Sequence, residues 1–431
     1  MKKAPLWPNI YHGWYIVAVC ITISVVTAAV RGGVSVFVIP MSEEFGWSRG
    51  SISLAASLGF LLNGLAQPLF GALLDRIGGR RVFLINLTIL GVTVAALGLT
   101  FHILFFIFMF GVVAGTAFSG ISPSNTSALV AKWFRRRRTA AMGINAAGVG
   151  VAGLVAVPFT ALMIQIVDWR LTWMALGLII LLVAVPLVFL MVHDAPEKLG
   201  LPLDGDGRSL DEEASGDFRR LAGPLEATKW RESFRSWPIW KLSFAYFVDG
   251  FTTANLLVHL VPFAIDRGIS PSAAAIVFGF TMLISILGST AVGLLSDRME
   301  RKTALTLIYL MRACAYGSAL LLPGVFGLWV FAAIIGFTFM PTVSLTTSLT
   351  ADIYGIRALG AITGMAYLFR QVGGTIGILL TGYLFDLTGS YSWSFAIAGM
   401  LLAPAVLSSF AIKERRYSSR YRPGLPTQSG A

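Results

Sequence analysis

Apolar stretches of about 20 residues recur along the whole chain, and mostly short polar segments separate them. As a helix, a stretch of that length crosses the roughly 30 Å hydrocarbon core of a bilayer. The 431 residues are 56% hydrophobic and 13% charged, whereas soluble domains are about 45–50% apolar and 25% charged. The sequence therefore predicts an all-α membrane protein and excludes a soluble domain, a disulfide scaffold and a disordered chain.

The apolar stretches predict twelve transmembrane helices in two six-helix halves. A polar segment rich in acidic residues, glycine and proline separates the sixth helix from the seventh, and we assign it no fold of its own. The predicted units are an N-terminal bundle (1–192), a cytoplasmic linker loop (193–236), a C-terminal bundle (237–412) and a cytoplasmic tail (413–431). The predicted spans are 12–40, 49–74, 81–101, 103–132, 138–164, 169–192, 238–265, 271–296, 303–322, 326–350, 358–385 and 391–412.

Charge predicts the orientation of these helices. The net charge is +12, and most Lys and Arg residues fall on the side that carries both termini. The opposite side has only Arg49, Arg170 and Arg267. Because basic loops stay in the cytoplasm, both termini are predicted to be cytoplasmic, in a multi-pass protein of a bacterial inner membrane. The same rule explains the positive charge without nucleic-acid binding.

The chain repeats itself with an offset of 222 positions. Two separated motifs share this offset, which indicates a parallel repeat of six helices. Gly71, Asp75, Arg76 and Arg80 recur as Gly293, Asp297, Arg298 and Lys302, and Trp169, Trp173 and Gly177 recur as Tyr391, Phe395 and Gly399.

The loop after the second helix reads G-A-L-L-D-R-I-G-G-R-R, from Gly71 to Arg81. It resembles the signature loop of the major facilitator superfamily, whose second copy falls at Gly293–Lys302. The resemblance covers essentially the whole chain and implies that family's twelve-helix fold and alternating-access transport. Asp75 lies at a helix end beside a basic turn, where it could pair across the bundle and lock one conformation. The alternative is a basic loop that only sets the orientation.

Shorter motifs resemble the monocarboxylate and oxalate/formate-type branch of that superfamily, in particular its bacterial members. They are His12–Tyr15, Phe45–Ser48 and His259–Phe263. This resemblance implies a small organic anion, a monocarboxylate, as substrate. The chain departs from the animal monocarboxylate transporters in helix eight, where Ser285 and Ser289 replace an Asp and an Arg. The coupling mechanism of the animal proteins therefore does not carry over.

Arg370 lies about twelve residues into helix eleven, near the predicted middle of the membrane. An ionisable side chain there costs at least about 2.5–3.5 kcal/mol and needs a partner or a function. Its planar fork, with Tyr367 and Gln371 beside it, suits a carboxylate substrate. The alternative is an arginine neutralised by a structural carboxylate or by carbonyl groups.

Asp249 lies at a similar depth in helix seven, with Tyr246 one turn before it. It is the candidate for proton coupling, because burial and neighbouring charges shift the protonation of a carboxyl group in opposite directions. The alternative is a static ion pair with Arg370 or Arg312. Tyr246 is predicted to line the substrate site.

Other polar residues within the helices have two interpretations each. Arg31, toward the outer end of helix one, could attract the anion or extend its charge to the interface. His259 could switch near neutral pH or pack in a hydrogen bond, and Arg312 is expected to be structural. Asn125, like Asn63 and Gln67, could bind substrate or bridge helices.

These observations predict a secondary active transporter of a small organic anion, with proton symport as one form of coupling. One alternative is an uptake or efflux carrier for another solute, such as a drug or a metabolite. The other is a transporter-like membrane sensor, which would need a sizeable output domain. An enzyme is not predicted, because no phosphate-binding loop, metal cluster or nucleophile constellation stands out. The expected partners are the anion, protons and the lipid bilayer, with no cofactor or metal and a monomeric state.

Overall fold

The computed structural model describes residues 10–47, 49–205, 224–322 and 324–421. Within these ranges every regular element is helical. The linker positions 206–223 and the tail beyond residue 421 lie outside the described residues. The long helices, numbered in chain order, are α1 His12–Phe45, α2 Arg49–Ile77, α3 Gly79–Leu97, α4 Ile103–Ala131, α5 Arg138–Val167, α6 Trp169–Met191, α7 Trp237–Asp266, α8 Pro271–Ser296, α9 Arg301–Leu321, α10 Gly324–Tyr354, α11 Leu359–Thr388 and α12 Ser392–Phe410.

Eleven helices among the described residues are long and apolar enough to cross a membrane. Of the twelve long helices, α7 alone does not meet this criterion. It has 30 residues but carries the polar residues Lys241, Asp249, Asn255 and His259. The twelfth predicted span therefore stays a prediction. Most predicted boundaries fall within a few residues of the observed ones. The largest difference at a single end is in α1, which continues through Pro40 and ends at Phe45.

Local sequence signals explain several helix ends. Ser122 and Ser270 each accept a hydrogen bond from a backbone N–H of the helical turn that follows, and a proline occupies the next position in both cases. Proline fits there because the first helical N–H has no intrahelical partner. At the other end, α1 and α11 stop at Gly46 and Gly389, which have φ near 66°, a conformation that glycine adopts without a steric cost.

Two helices are interrupted in the middle. In α4 the helix breaks at Ile121 and Ser122, and the Nδ2 of Asn125 donates to the carbonyl of Ser119 over 2.9 Å. In α10 the helix breaks at Phe339 and Met340, just before Pro341. A break frees backbone carbonyls that need other donors, and the carbonyls in α10 find one in a buried arginine.

The buried apolar residues form two cores. One consists almost entirely of residues between Ile16 and Val192, and the other of residues between Ala227 and Ile412. Below, α1–α6 are called the N-terminal half and α7–α12 the C-terminal half. Apolar side chains such as Leu69, Leu182 and Leu379 are 67–70% exposed on the outside of the bundle, where lipid would cover them.

The halves meet mainly along two pairs of helices, α2 with α11 and α5 with α8. Glycines allow the backbones to approach, because a Cβ atom on Gly71 would collide with the carbonyl of Gly360. A Cβ atom on Gly150 of α5 would lie 2.7 Å from Oγ of Ser285. Ser285 thus belongs to the contact between the halves, which explains why a large charged side chain would not fit at this position of α8.

Candidate functional site

A buried ion-pair network occupies the middle of the C-terminal half. Asp249 of α7 is fully buried. Its Oδ1 accepts a hydrogen bond from Nη1 of Arg312 on α9 over 2.6 Å, and its Oδ2 accepts one from Nε of Arg370 on α11 over 2.7 Å. The sequence left open which arginine pairs with Asp249, and the structure shows that both do.

Arg312 of α9 is held by polar groups of two other helices, α7 and α10. It is 1% exposed and also donates to the hydroxyls of Thr252 and Thr253, over 3.0 and 3.3 Å. Its other terminal nitrogen donates to the carbonyls of Thr338 and Phe339 at the break in α10. These internal contacts fit the structural role expected for Arg312.

Arg370 keeps its terminal nitrogens available. Only its Nε is bonded to Asp249, and neither Nη group donates to a residue in the described ranges. The guanidinium carbon lies 5.7 Å from the ring centre of Tyr246 and 5.5 Å from that of Tyr367. The centres of the two rings are 6.2 Å apart, so both rings lie on the same side of the guanidinium and stabilise its charge. The Nη pair can donate two hydrogen bonds to one anion.

Arg31 brings a second guanidinium from the N-terminal half. Its Nη2 donates to Oδ1 of Asn63 over 3.0 Å, and the same oxygen accepts from Nε2 of Gln371 over 3.3 Å. Arg31 also lies close enough to Tyr367 and Arg370 to interact with them electrostatically. The group therefore lies between the two halves and contains side chains from both.

The charges in this group do not balance. Three guanidinium groups (Arg31, Arg312 and Arg370) and one carboxylate (Asp249) give a formal charge of +2. Asp249 is the only carboxylate among the described residues that the structure places against these arginines. An uncompensated positive charge at this depth is costly, so the arrangement favours an anionic ligand.

Asn125 and His259, also proposed from the sequence, lie outside this group. Asn125 is fully buried and bonds carbonyls of its own helix, so it reaches Asn63 only through Ser119. The ring of His259 lies 5.5 Å from that of Tyr391, and ten helical residues, about 15 Å, separate it from Asp249.

Residues that the sequence analysis missed also support the site. Thr252 and Thr253 both bond Arg312, and they follow Asp249 by three and four positions. Residues at those spacings share a helix face, so periodicity could have identified them. Tyr316 follows Arg312 by four positions on α9 and carries the same signal, and its hydroxyl donates to the carbonyl of Thr252 over 2.8 Å.

The two signature loops hold the halves together at one end of the bundle. Asp75 accepts from the backbone N–H groups of Gly360 and Ala361, over 3.1 and 2.9 Å. Asp297 accepts from those of Thr139 and Ala140, over 3.1 and 2.9 Å. Each aspartate thus caps the first turn of a helix in the opposite half, where the helix dipole stabilises a negative charge.

The basic residues of these loops contact their own half. Arg80 donates to the carbonyl of Phe189 and, through its backbone N–H, to Asp194. Arg76 and Arg298 are both exposed. Gly293, like Gly71, lets the halves approach, since a Cβ atom there would lie 2.8 Å from the carbonyl of Thr139.

A third contact, without a counterpart among the repeated residues, closes the same end. Asp352 at the end of α10 accepts from Arg138 of the N-terminal half over 2.7 Å and from Arg301 of its own half. We call the end of the bundle that contains Asp75, Asp297 and Asp352 the basic end. Tyr11 and Ser419, which lie close to the two ends of the described chain, contact residues of this end. The halves are therefore closed against each other at the basic end.

Comparison with known proteins agrees with this architecture. The family described as Major Facilitator Superfamily matches residues 20–378 and 242–427. Monocarboxylate transporter 12 of Rattus norvegicus is 26% identical over 440 residues, which cover 97% of this chain and 89% of the relative. A probable sulfoacetate transporter of Cupriavidus necator, SauU, is 27% identical over 402 residues and 89% of each chain.

Among solved structures, the proton:xylose symporter XylE has a similar fold. Its TM-score is 0.73 at 14% identity, over 93% of this chain and 95% of the other. At this identity the match concerns the fold alone. The family match spans most of the sequence, and the paired signature loops lie at the contact between the halves. The chain therefore belongs to the major facilitator superfamily.

Proposed function

We propose that this protein is a secondary active transporter of a small organic anion, a monocarboxylate, that works by alternating access. The observation that carries the proposal is the Nη pair of Arg370, which donates to none of the described residues and lies close to Arg31. A carboxylate fits the Nη pair of a guanidinium bidentately. Tyr246, Tyr367 and Gln371 would then form the walls of the site.

The position of the group between the halves suits alternating access. Arg31 and Asn63 belong to one half, and Arg370 and Gln371 belong to the other. An anion that contacts both arginines interacts with both halves at once. Its binding can therefore favour the conformation in which the halves close around it.

We propose that the basic end is cytoplasmic and that twelve helices span the membrane. The excess of basic residues supports this orientation. A reporter that is active only in the cytoplasm, fused after Tyr421, is expected to be active. An inactive cytoplasmic reporter together with an active periplasmic one would contradict the topology.

Of the two roles predicted for Asp249, proton coupling has less support than a static ion pair. Two guanidinium groups flank the carboxylate, and each favours its charged form. Protonation would leave three arginines without a counter-charge. We therefore propose that Asp249 is a permanent ion-pair partner that orients Arg370. Proton symport would use another group, for which His259 is the candidate named from the sequence.

The formal charge of +2 favours a second candidate substrate, a small dianion. A molecule with two acidic groups could contact Arg31 with one group and Arg370 with the other, and it would neutralise the site. Sulfoacetate has this chemistry, since it carries a carboxylate and a sulfonate. A relative is named as its probable transporter.

Uptake into proteoliposomes tests the proposal. The purified protein would be assayed with radiolabelled monocarboxylates, dicarboxylates and sulfoacetate, with and without an imposed pH gradient, and with a neutral sugar as the control solute. We expect uptake of one class of anion and none of the sugar. Uptake that responds to the gradient would support symport. Uptake of the sugar, or of organic cations, would contradict an anion transporter.

A further inference from the structure

A cleft opens where α7 begins at the basic end of the bundle. The short helix Trp230–Ser233 precedes α7, and the chain between them turns at Ser236. The cleft has a volume of about 440 Å³ and is lined by Phe234, Arg235, Ser236, Trp237 and Trp240. None of these residues belongs to the proposed anion site, so the inference drawn from the cleft does not depend on the proposed function.

The aromatic residues of the cleft suit a position at the boundary between water and lipid. Trp237 is the first residue of α7 and is 78% exposed, and Trp240 is 45% exposed. The ring of Trp240 meets Phe234 and Phe369 edge-on, at 5.2 and 6.1 Å. Tryptophan is enriched at membrane–water interfaces, where one part of its ring is apolar and the other hydrogen-bonds.

The cleft is positively charged, and few neighbouring carboxylates neutralise its arginines. The guanidinium of Arg235 makes no hydrogen bond or ion pair with the described residues, and that of Arg231 stacks 5.4 Å from the ring of Trp230. The nearby Glu232 is engaged elsewhere, because its carboxylate accepts from the backbone N–H groups of Thr228 and Lys229, over 2.8 and 3.2 Å.

The start of α7 adds to this positive potential. The Oγ of Ser236 donates to the carbonyl of Ser233 over 2.7 Å and shares a hydrogen bond with the hydroxyl of Tyr354 over 2.5 Å. It therefore makes no capping bond to the first turn of α7. The N-terminus of a 30-residue helix carries a partial positive charge, which here lies beside Arg235.

We propose that this cleft binds the phosphate headgroup of an anionic phospholipid from the bilayer leaflet at the basic end. The phosphate oxygens would accept from the guanidinium of Arg235, which matches phosphate geometry. The glycerol and upper acyl chain would lie against Trp237. Because the cleft carries positive charge and no available carboxylate among its lining residues, an anionic headgroup is preferred over a zwitterionic one.

Native mass spectrometry of the purified full-length protein tests this proposal. The protein in detergent would be titrated with phosphatidylglycerol and, separately, with phosphatidylcholine. We expect one tight phosphatidylglycerol adduct, weaker binding of phosphatidylcholine, and no competition from glycerol phosphate at the same concentration. Arg235→Gln is expected to weaken the tight adduct about fivefold, the contribution of one basic residue near an anionic surface.

Arg416→Gln is the matched control, because Arg416 is an exposed arginine of the same end that stacks 5.4 Å from Tyr417. It should leave the phosphatidylglycerol affinity unchanged. A second variant, Trp237→Ala, should weaken the adduct as well, which distinguishes a lipid from a soluble phosphate. Equal binding of both lipids, or equal losses in Arg235→Gln and Arg416→Gln, would overturn the proposal. Both arginine variants must match the melting temperature of the parent in detergent alone.

Discussion

Asp249 binds Arg370 through the Nε atom, over 2.7 Å, and so leaves the two Nη groups of the arginine clear. The carboxylate orients the guanidinium without covering its bidentate face. An anion can therefore bind Arg370 without displacing Asp249. The same carboxylate is fixed from the other side by Arg312, which connects the proposed anion site to the break in α10.

Asp249→Asn is expected to destabilise the protein strongly. The substitution leaves Arg312 and Arg370 buried with a neutral partner, and breaking such a pair costs about 3–5 kcal/mol. Thermal unfolding in detergent measures the loss. Thr253→Val is the control, because it removes only a 3.3 Å hydrogen bond to Arg312, worth about 1 kcal/mol. Similar melting temperatures for the parent and Asp249→Asn would show that the ion pair is not structural.

Gly250→Ala is expected to disturb the packing of α7 against α11 at the site itself. A Cβ atom at Gly250 would overlap the backbone carbonyl of Arg370, whereas one at Gly279 would meet no atom within 4 Å. Overpacking costs about 1–3 kcal/mol, while alanine in an open helical position gains up to about 1 kcal/mol. We expect Gly250→Ala to lose both stability and uptake. Gly279→Ala should retain both, and equal effects would contradict the observed helix contact.

Much of the fold could be predicted from the sequence, because the apolar stretches and the 222-residue offset depend only on local composition. Counting residues along α7 and α11 also predicts that Asp249 and Arg370 lie far from the helix ends, and both side chains are buried. That Asp249 binds two arginines could not be predicted, because it depends on how α7, α9 and α11 pack. The role of Arg312 depends in addition on the carbonyls freed by the break in α10.

Asn63 and Asn125, both in the N-terminal half, also have roles that could not be predicted from the sequence. Both are buried amides in apolar helices, and the sequence gives them the same two interpretations. Asn63 points its oxygen at Arg31 and Gln371. Asn125 follows the break in α4 and turns back to bond the carbonyls freed there. The difference is one of side-chain direction, which the residue type does not specify.

Asp75→Asn is expected to slow the transport cycle and to leave anion binding largely intact. Asp75 caps the first turn of α11 at the basic end, away from Arg370, so the loss of its charge weakens the closed state rather than the site. Asp297→Asn, at the equivalent contact with α5, should act similarly. Turnover and equilibrium binding would both be measured. Loss of binding with normal turnover at saturating substrate would contradict the assignment.

Arg138→Gln and Arg301→Gln should differ, although both arginines bond Asp352. Arg138 belongs to the opposite half, so its loss removes a contact between the halves while Asp352 keeps a counter-charge. Arg301 is 1% exposed and also bonds Asp297 and the carbonyl of Ser348. We expect Arg138→Gln to alter turnover with little change in melting temperature, and Arg301→Gln to lower the melting temperature clearly. The reverse pattern would show that Asp352 does not serve the closure of the basic end.

The affinity of Arg370→Lys for the transported anion tests the central claim most directly. Lysine keeps the positive charge but lacks the fork that binds both oxygens of a carboxylate, so the account predicts binding about tenfold weaker, or about 1.4 kcal/mol, with an unchanged melting temperature. Arg76→Lys, at an exposed arginine of the signature loop, is the control and should bind as the parent does. If Arg370→Lys binds the anion as tightly as the parent, Arg370 is not the carboxylate-binding residue and the proposed site is wrong.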